Sequence, residues 1–339
     1  MEIILSDPFI EICNWLYTDD LVKLTLVNQL LKTRIRQHKW NHIISIWHNA
    51  KYVKDVCTNY NFYKFEIREL DISGYEHYLS GAKYLDFERS YPTSVNHINN
   101  QNIKYFANCE TLILSSCELS IEGVKYLTKC NKLDLSCCTL ITDDCVKLLI
   151  NVKFLDLKYC NLITDSSVKL LGKCHTLSLS GCNNITYKST KYLRNCQVLD
   201  LSFCNAITDK ALKYLGNCRE LNLAATNITD VGAKYLVNCY KLNLSYSRLL
   251  TDKSIKCLIY CKELDIRCCD LVTDEGIKCL VNCERLNISG CNNITDEGVK
   301  YLEKCIWLNM SYCKKINQKM LSHLYDTIEC VITEKKIKD

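Results

Sequence analysis

The 339-residue chain has only two prolines, ten glycines and three methionines. No stretch approaches the roughly 18 consecutive apolar residues that a membrane-spanning helix needs. The start, MEIILSDPFIEICNWL, carries Glu2, Asp7 and Glu11 but neither a basic leader nor a small-residue cleavage site, so no secretory signal is expected. A glycine-rich phosphate loop is missing. The seven histidines (His38, His42, His48, His77, His97, His175, His323) are scattered and form none of the Cys/His or Ser/His/Asp groupings that nucleophilic catalysis uses. A net charge of +5 is small for this length and argues against a nucleic-acid binder. The expectation is a protein without catalytic residues, cofactor or metal, and with neither nucleic acid nor membrane as partner. Scarce proline and glycine beside abundant Lys, Asn, Ile and Tyr fit an AT-rich coding sequence.

Cysteine is the excess, at 25 residues. A chain this long with no signal is read as living where thiols stay reduced, in cytoplasm or nucleus. The thiols belong to a repeat, which dominates the sequence. Leucine pairs recur at Leu133-Asp134-Leu135, Leu155-Asp156-Leu157, Leu177-Ser178-Leu179, Leu199-Asp200-Leu201, Leu221-Asn222-Leu223, Leu242-Asn243-Leu244, Leu264-Asp265-Ile266, Leu286-Asn287-Ile288 and Leu308-Asn309-Met310. Successive units lie 22 residues apart, with 21 from Leu112 to Leu133 and from Leu221 to Leu242. Each Leu-x-Leu is a short period-2 strand with two side chains inward. Thr164, Thr208, Thr229, Thr251, Thr273 and Thr295 then stand where a helix N-cap hydroxyl accepts a backbone N–H, and the Asp after each favours the positive helix terminus. Val168 and Leu171, or Val299 and Leu302, face the strands from a helix of about two turns.

One strand and one such helix cannot bury their apolar faces alone, so units must stack into a right-handed solenoid, parallel strands inside and helices outside. Strands stack at about 4.8 Å and helices at roughly 8–10 Å, which makes the sheet the concave surface. The fold class expected is therefore α/β, with a small all-helical module in front.

Two cysteine columns flank the strands. Cys109, Cys130, Cys174, Cys196, Cys218, Cys239, Cys261, Cys283 and Cys305 precede them; Cys117, Cys138, Cys160, Cys182, Cys204, Cys269, Cys291 and Cys313 follow. Zinc needs four ligands converging on one point, whereas once-per-repeat columns spread thiols along the axis. Thr226 and Ser247 fill the second column in two units, as suits a small packing slot. Lys147, Lys169, Lys213, Lys234, Lys256, Lys278 and Lys300 each follow an aspartate by four residues, the favourable helix ion-pair orientation, so that column reads as a solvated face of cancelling charge. Candidate substrate contacts on the concave sheet and its rim are Phe154, Asp156, Lys158, Tyr159, Asp200, Phe203, Tyr246, Asp265, Arg267, Arg285, Trp307 and Tyr312, because exposed aromatics and arginine are common binding anchors.

The units, with Leu-x-Leu-x-x-Cys followed by Ile-Thr-Asp, resemble the cysteine-containing subclass of leucine-rich repeats over residues 109–330, although that subclass has slightly longer units. Residues 48–108 read as linker and degenerate early repeats, with Leu70-Asp71-Ile72 and Leu85-Asp86-Phe87 strand-like, and 331–339 as a charged tail. Residues 1–47 form another module. Ile12, Leu16, Leu21, Leu24, Leu26 and Val27, the acidic Asp19-Asp20 and Trp40 resemble an F-box over residues 3–42. The family's leading Leu-Pro falls on Ile4-Leu5, and Leu31 stands where its tryptophan is usual.

The resemblance implies that Leu5, Ile12, Leu16, Leu21, Leu24, Val27 and Trp40 dock on a Skp-family adaptor of a cullin complex while the repeats hold a protein substrate for ubiquitin transfer. The whole is similar to F-box and leucine-rich-repeat proteins of large DNA viruses, which would place it in the host cell's cytoplasm or nucleus. The alternative is an interaction scaffold or inhibitor whose amino-terminal helices only cap the solenoid.

Overall fold

The computed structural model describes residues 39–40, 43–46, 50–59, 61–67, 72–87 and 98–333. The chain divides into two compact units, residues 1–140 and 141–339. In the first, Ile44–Ile46, Lys64–Ile67, Tyr84–Asp86, Thr111–Ile113 and Lys132–Asp134 are parallel strands, each paired with the next in the chain. A further parallel pair joins Lys39–Trp40 to Asn61–Phe62.

The second unit repeats the rule through Phe154–Asp156, Thr176–Ser178, Val198–Asp200, Glu220–Asn222, Lys241–Asn243, Glu263–Asp265, Arg285–Asn287, Trp307–Asn309 and Cys330–Ile332. The register sets leucine on leucine: Leu177 pairs with Leu199, Leu199 with Leu221, Leu221 with Leu242. Strands alternate with helical turns, giving the α/β solenoid the repeat demands.

Alternation along each strand builds the core. Leu199 and Leu201 are 1% and 0% exposed, while Asp200 between them is half-buried on the open face. The helices are shorter than the two turns expected. Asp165–Val168, Asp209–Leu212, Asp230–Ala233, Asp274–Ile277 and Asp296–Val299 are single turns, which still bury Val168 and Leu171, and Val299 and Leu302, as their spacing requires. Five of the six threonine caps work as predicted: Thr164, Thr229, Thr251, Thr273 and Thr295 each accept from the N–H two residues on. Thr208 makes no such bond.

The early units are more regular than their spacing implies. The strand preceding Tyr84–Asp86 is Lys64–Ile67; of the Leu70-Asp71-Ile72 candidate, residues 70 and 71 lie outside the described residues, and Ile72 is buried outside any strand. Alternation in Lys64-Phe65-Glu66-Ile67, with Phe65 and Ile67 buried, outweighs the Leu-Asp-Ile likeness. Lys39–Trp40 and Ile44–Ile46 are strands, so the helical character expected through residue 47 gives way to sheet earlier. Leu5, Ile12, Leu16, Leu21, Leu24 and Val27 lie outside the described residues. The last strand runs into the stretch read as a tail.

Candidate functional site

In the 141–339 unit the residue between each leucine pair faces away from the core, and its chemistry is first of all structural. Asp156 accepts from the Lys158 N–H (2.8 Å), Asp200 from Ser202 (2.8 Å), Asn243 from Ser245 (2.9 Å), Asp265 from Arg267 (3.0 Å) and Asn309 from Ser311 (3.0 Å). Asp and Asn share this acceptor oxygen, which explains why they interchange in the column. Asp156, Asp200 and Asp265 thus close the turn after each strand as well as facing the open side. Burial pushes the Asp265 carboxyl above its ordinary range, against the opposing pull of the Arg267 N–H, the Arg267 charge and Asn287.

The other expected contacts fall into two rows. On the sheet face, Phe154 stands in register with Thr176, and Arg285 with Trp307. The Arg285 guanidinium sits 5.1 Å from the Trp307 ring centre, but five strand spacings of about 4.8 Å separate Trp307 from Val198. Between them Lys241 pairs with Glu263 at 3.3 Å. A shallow depression of about 270 Å³ lies over Val198, Asp200, Glu220 and Lys241. Of the predicted sheet-face residues only Asp200 lines it; Phe154, Arg285 and Trp307 lie to either side.

The second row is the rim. Tyr159, Phe203, Tyr246 and Tyr312 occupy equivalent positions with φ of 58°, 59°, 62° and 64°, the left-handed region that costs a side chain on the order of 1 kcal/mol. The turn imposes this geometry so that each N–H reaches the next unit: Tyr159 donates to the Ser180 carbonyl (2.8 Å), Phe203 to Ala224 (2.9 Å) and Tyr246 to Arg267 (2.9 Å). Gly181 and Gly290 fill the same slot at φ of 69° and 73°, so the fold accepts glycine there. The four aromatics remain 39–62% exposed.

Lys158 lies 5.4 Å from the Tyr159 ring and Arg267 5.7 Å from that of Tyr246, while Arg267 also pairs with Asp265 at 3.2 Å. Where Ala225 takes the slot, a cleft of about 560 Å³ opens between Phe203 and Tyr246, bounded also by Arg248 and Leu249. The sequence reading missed Ala225, Arg248 and Leu249. The break from the cysteine pattern at Ala225-Thr226 was the available signal.

Strand, buried leucine pair, turn and helix in parallel register match one family. A model of the Leucine Rich repeat matches residues 148–172, 194–216, 219–237, 262–281 and 284–302. These units are leucine-rich repeats. The fold is similar to that of the internalin InlF of Listeria monocytogenes, with TM-score 0.53, 12% identity and 94% of each chain covered. It is also similar to TLR13 from a complex with ssRNA13, with TM-score 0.56, 20% identity, 80% of this chain and 42% of that chain covered. A chain of the yeast Rad7–Elc1 complex gives TM-score 0.48 at 16% identity, covering 71% and 82%. No curated protein matches the chain in sequence.

The thiols tie each leucine-rich repeat to the one before. Cys182 donates to the Leu157 carbonyl (3.1 Å), Cys204 to Leu179 (3.2 Å), Cys269 to Leu244 (3.4 Å) and Cys291 to Ile266 (3.1 Å). Among the described residues no group of three or more His, Cys, Asp or Glu side chains could hold a metal. Burial pushes Cys182 up to about 12 and Cys204 up to about 11, and the thiolate is the reactive form. In native protein Ellman's reagent is therefore expected to titrate exposed thiols such as Cys137 and Cys330 rapidly, and Cys182 and Cys204 only on unfolding. Fast modification of Cys182, mapped by mass spectrometry, would contradict this packing.

The aspartate–lysine column needs correction. Among the described residues the helix ion pairs run at i, i+3, as in Lys147–Asp144, Lys278–Glu275 and Lys300–Glu297. The aspartates expected to pair four residues on turn instead to the next repeat. Asp209 accepts from the Thr229 N–H (2.8 Å) and hydroxyl (2.7 Å); Asp230 takes the same two bonds from Thr251, Asp252 from Thr273 and Asp274 from Thr295. A one-turn helix puts the lysine at its end, and the neighbouring cap is the better donor.

Proposed function

We propose that the chain is a recognition subunit that performs no bond chemistry, gripping a protein partner with the aromatic rim and open sheet face of its repeats. The observation that carries this reading is the row Tyr159, Phe203, Tyr246 and Tyr312, exposed and held at positive φ where glycine would serve the fold. Ser116, Cys137, Ala225 and Cys268 share that backbone geometry, so it is the exposed rings themselves, a common kind of binding anchor, that support the reading. Parallel repeats with an unpaired polar face supply the surface. No helix among the described residues is long and apolar enough to cross a membrane.

The finer reading is an F-box protein of the cysteine-containing repeat subclass. Leu16, Leu21, Leu24 and Val27 would dock on a Skp-family adaptor of a cullin complex, and the repeats would present a protein substrate in cytoplasm or nucleus, of a host cell if the protein is viral. Support for it is the sequence resemblance over residues 3–42 and its placement before the repeats. The gain would be proximity: substrate and ubiquitin-charged partner enzyme held in one assembly.

Two variants test the halves separately. Leu24→Asp is expected to abolish co-purification with a Skp-family adaptor while the circular dichroism of the repeats is unchanged; adaptor binding at wild-type level would remove the ligase reading. Phe203→Gly with Tyr246→Gly is expected to keep the adaptor, shift stability by no more than about 1 kcal/mol per site because relieved strain offsets added chain entropy, and lose the proteins captured by the wild type. Identical captured sets, compared by quantitative mass spectrometry, would refute the rim as the binding surface.

A further inference from the structure

In the 141–339 unit the aspartate ladder between repeats runs from Asp143 to Asp296 and breaks once, at Tyr187. The residue after the cap threonine is Asp165, Asp209, Asp230, Asp252, Asp274 or Asp296 in the neighbouring repeats and Tyr187 in this one. Two consequences are visible. Thr208, the cap that an acid at position 187 would reach, makes no side-chain cap bond. The helix of the Tyr187 repeat starts only at Thr190 and is a 3-10 turn, Thr190–Leu193, where its neighbours form α-turns straight after the threonine. Beside it lies a cavity of about 580 Å³ on the helix side of the repeats, away from the rim, whose lining includes Tyr187, Lys188, Lys191, Lys210 and Lys213.

Four lysines line this one cavity. In this column Lys125, Lys147, Lys278 and Lys300 pair with an acid three residues before them, whereas Lys169 follows Ser166, Lys234 follows Val231 and Lys256 follows Lys253. Here the residues three before Lys191 and Lys213 are Lys188 and Lys210, so two like-charge pairs from adjacent repeats meet at one opening. Asp209, the acid in the lining, already accepts from both the N–H and the hydroxyl of Thr229. Among the described residues none of the four lysines has a salt bridge. Lys210 lies 5.2 Å from the Tyr187 ring centre, so the tyrosine that removed the acid also holds one of the cations.

We propose that this cavity binds a small, multiply phosphorylated molecule, whose phosphates take the place of the missing aspartate and relieve the repulsion between the lysine pairs. Lysine ammoniums act as point charges toward phosphate, and four around one opening suit an anion carrying more than one phosphate. The proposal is independent of what the rim holds.

Full-length protein titrated with inorganic tripolyphosphate in low-salt buffer, followed by calorimetry, is expected to show saturable binding of one molecule per chain that weakens as salt is raised. Lys191→Gln with Lys213→Gln should lower the affinity about tenfold or more. Tyr187→Asp should abolish binding and raise the melting temperature, because it restores the ladder to Thr208. Lys256→Gln, elsewhere in the lysine column, should change nothing. Equal binding by wild type and Tyr187→Asp, an equal loss in Lys256→Gln, no saturable binding at all, or capture of a singly phosphorylated serine peptide in preference to tripolyphosphate would each overturn the proposal.

Discussion

Leu201→Ala is expected to destabilise the protein by about 2–5 kcal/mol, the range for emptying a buried leucine site. Leu201 is 0% exposed, with Leu179 and Leu223, also 0% exposed, at the same position in the repeats on either side. Collapse around the void is what reduces such a penalty, and here the flanking strands are pinned. The Leu201 N–H donates to the Asn222 carbonyl and that of Leu179 to Asp200, while the Cys204 thiol holds the Leu179 carbonyl. The upper half of the range is therefore the expectation. Denaturant unfolding followed by circular dichroism measures it, and a loss below about 1 kcal/mol would show that the column of leucines is not the shared core described above.

Asp230→Ala should cost about 2 kcal/mol although the side chain is only half-buried. It removes one acceptor from three donors: the Thr251 N–H (2.9 Å), the Thr251 hydroxyl (2.7 Å) and the Ser254 hydroxyl. Hydrogen bonds to a charged group are worth about 1.5–3 kcal/mol each when shielded; solvent reaching Asp230 reduces their sum. Burial alone would raise the Asp143, Asp165 and Asp230 carboxyls, but hydrogen bonds from Ser167 and Thr164, Ser189 and Thr186, and Ser254 and Thr251 outweigh it and hold all three below the usual carboxylate value. Folded values lie under unfolded ones, so the stabilisation is complete above the ordinary carboxylate pKa near 4 and is lost as pH falls below it. Acid titration of stability should therefore be shallower for Asp230→Ala than for the wild type. Parallel curves would show that the ladder does not carry the charge dependence.

What could be read from the chain was whatever repeats within one unit. Leucine pairs, thiol columns and threonine caps each depend on residues a few positions apart, and their period announced them. The role of Asp230 depends on Thr251, 21 residues away, and a helix-based reading assigned that carboxylate to the lysine four residues on because it saw only one helix. The left-handed rim was hidden for a different reason. Gly181 and Gly290 mark it, but Tyr159, Phe203, Tyr246 and Tyr312 occupy the same column, and an aromatic does not signal positive φ. Those residues were legible as a periodic exposed row; the cleft between Phe203 and Tyr246 was not, because Ala225 makes it by being small. Tyr187 is the converse case, a single departure from the pattern whose effect emerges only when two repeats are stacked.

In the 141–339 unit, hydrogen bonds that cross between repeats join one fixed position of the repeat to another fixed position of its neighbour: strand to strand, thiol to carbonyl, carboxylate to threonine. Excising or duplicating one whole copy would bring the same partners face to face again and orphan no donor, whereas cutting out half a copy would strand all three sets. Length in such a chain is adjustable in whole steps. A lineage could lengthen or shorten its reach around a partner by unequal recombination without re-evolving a core.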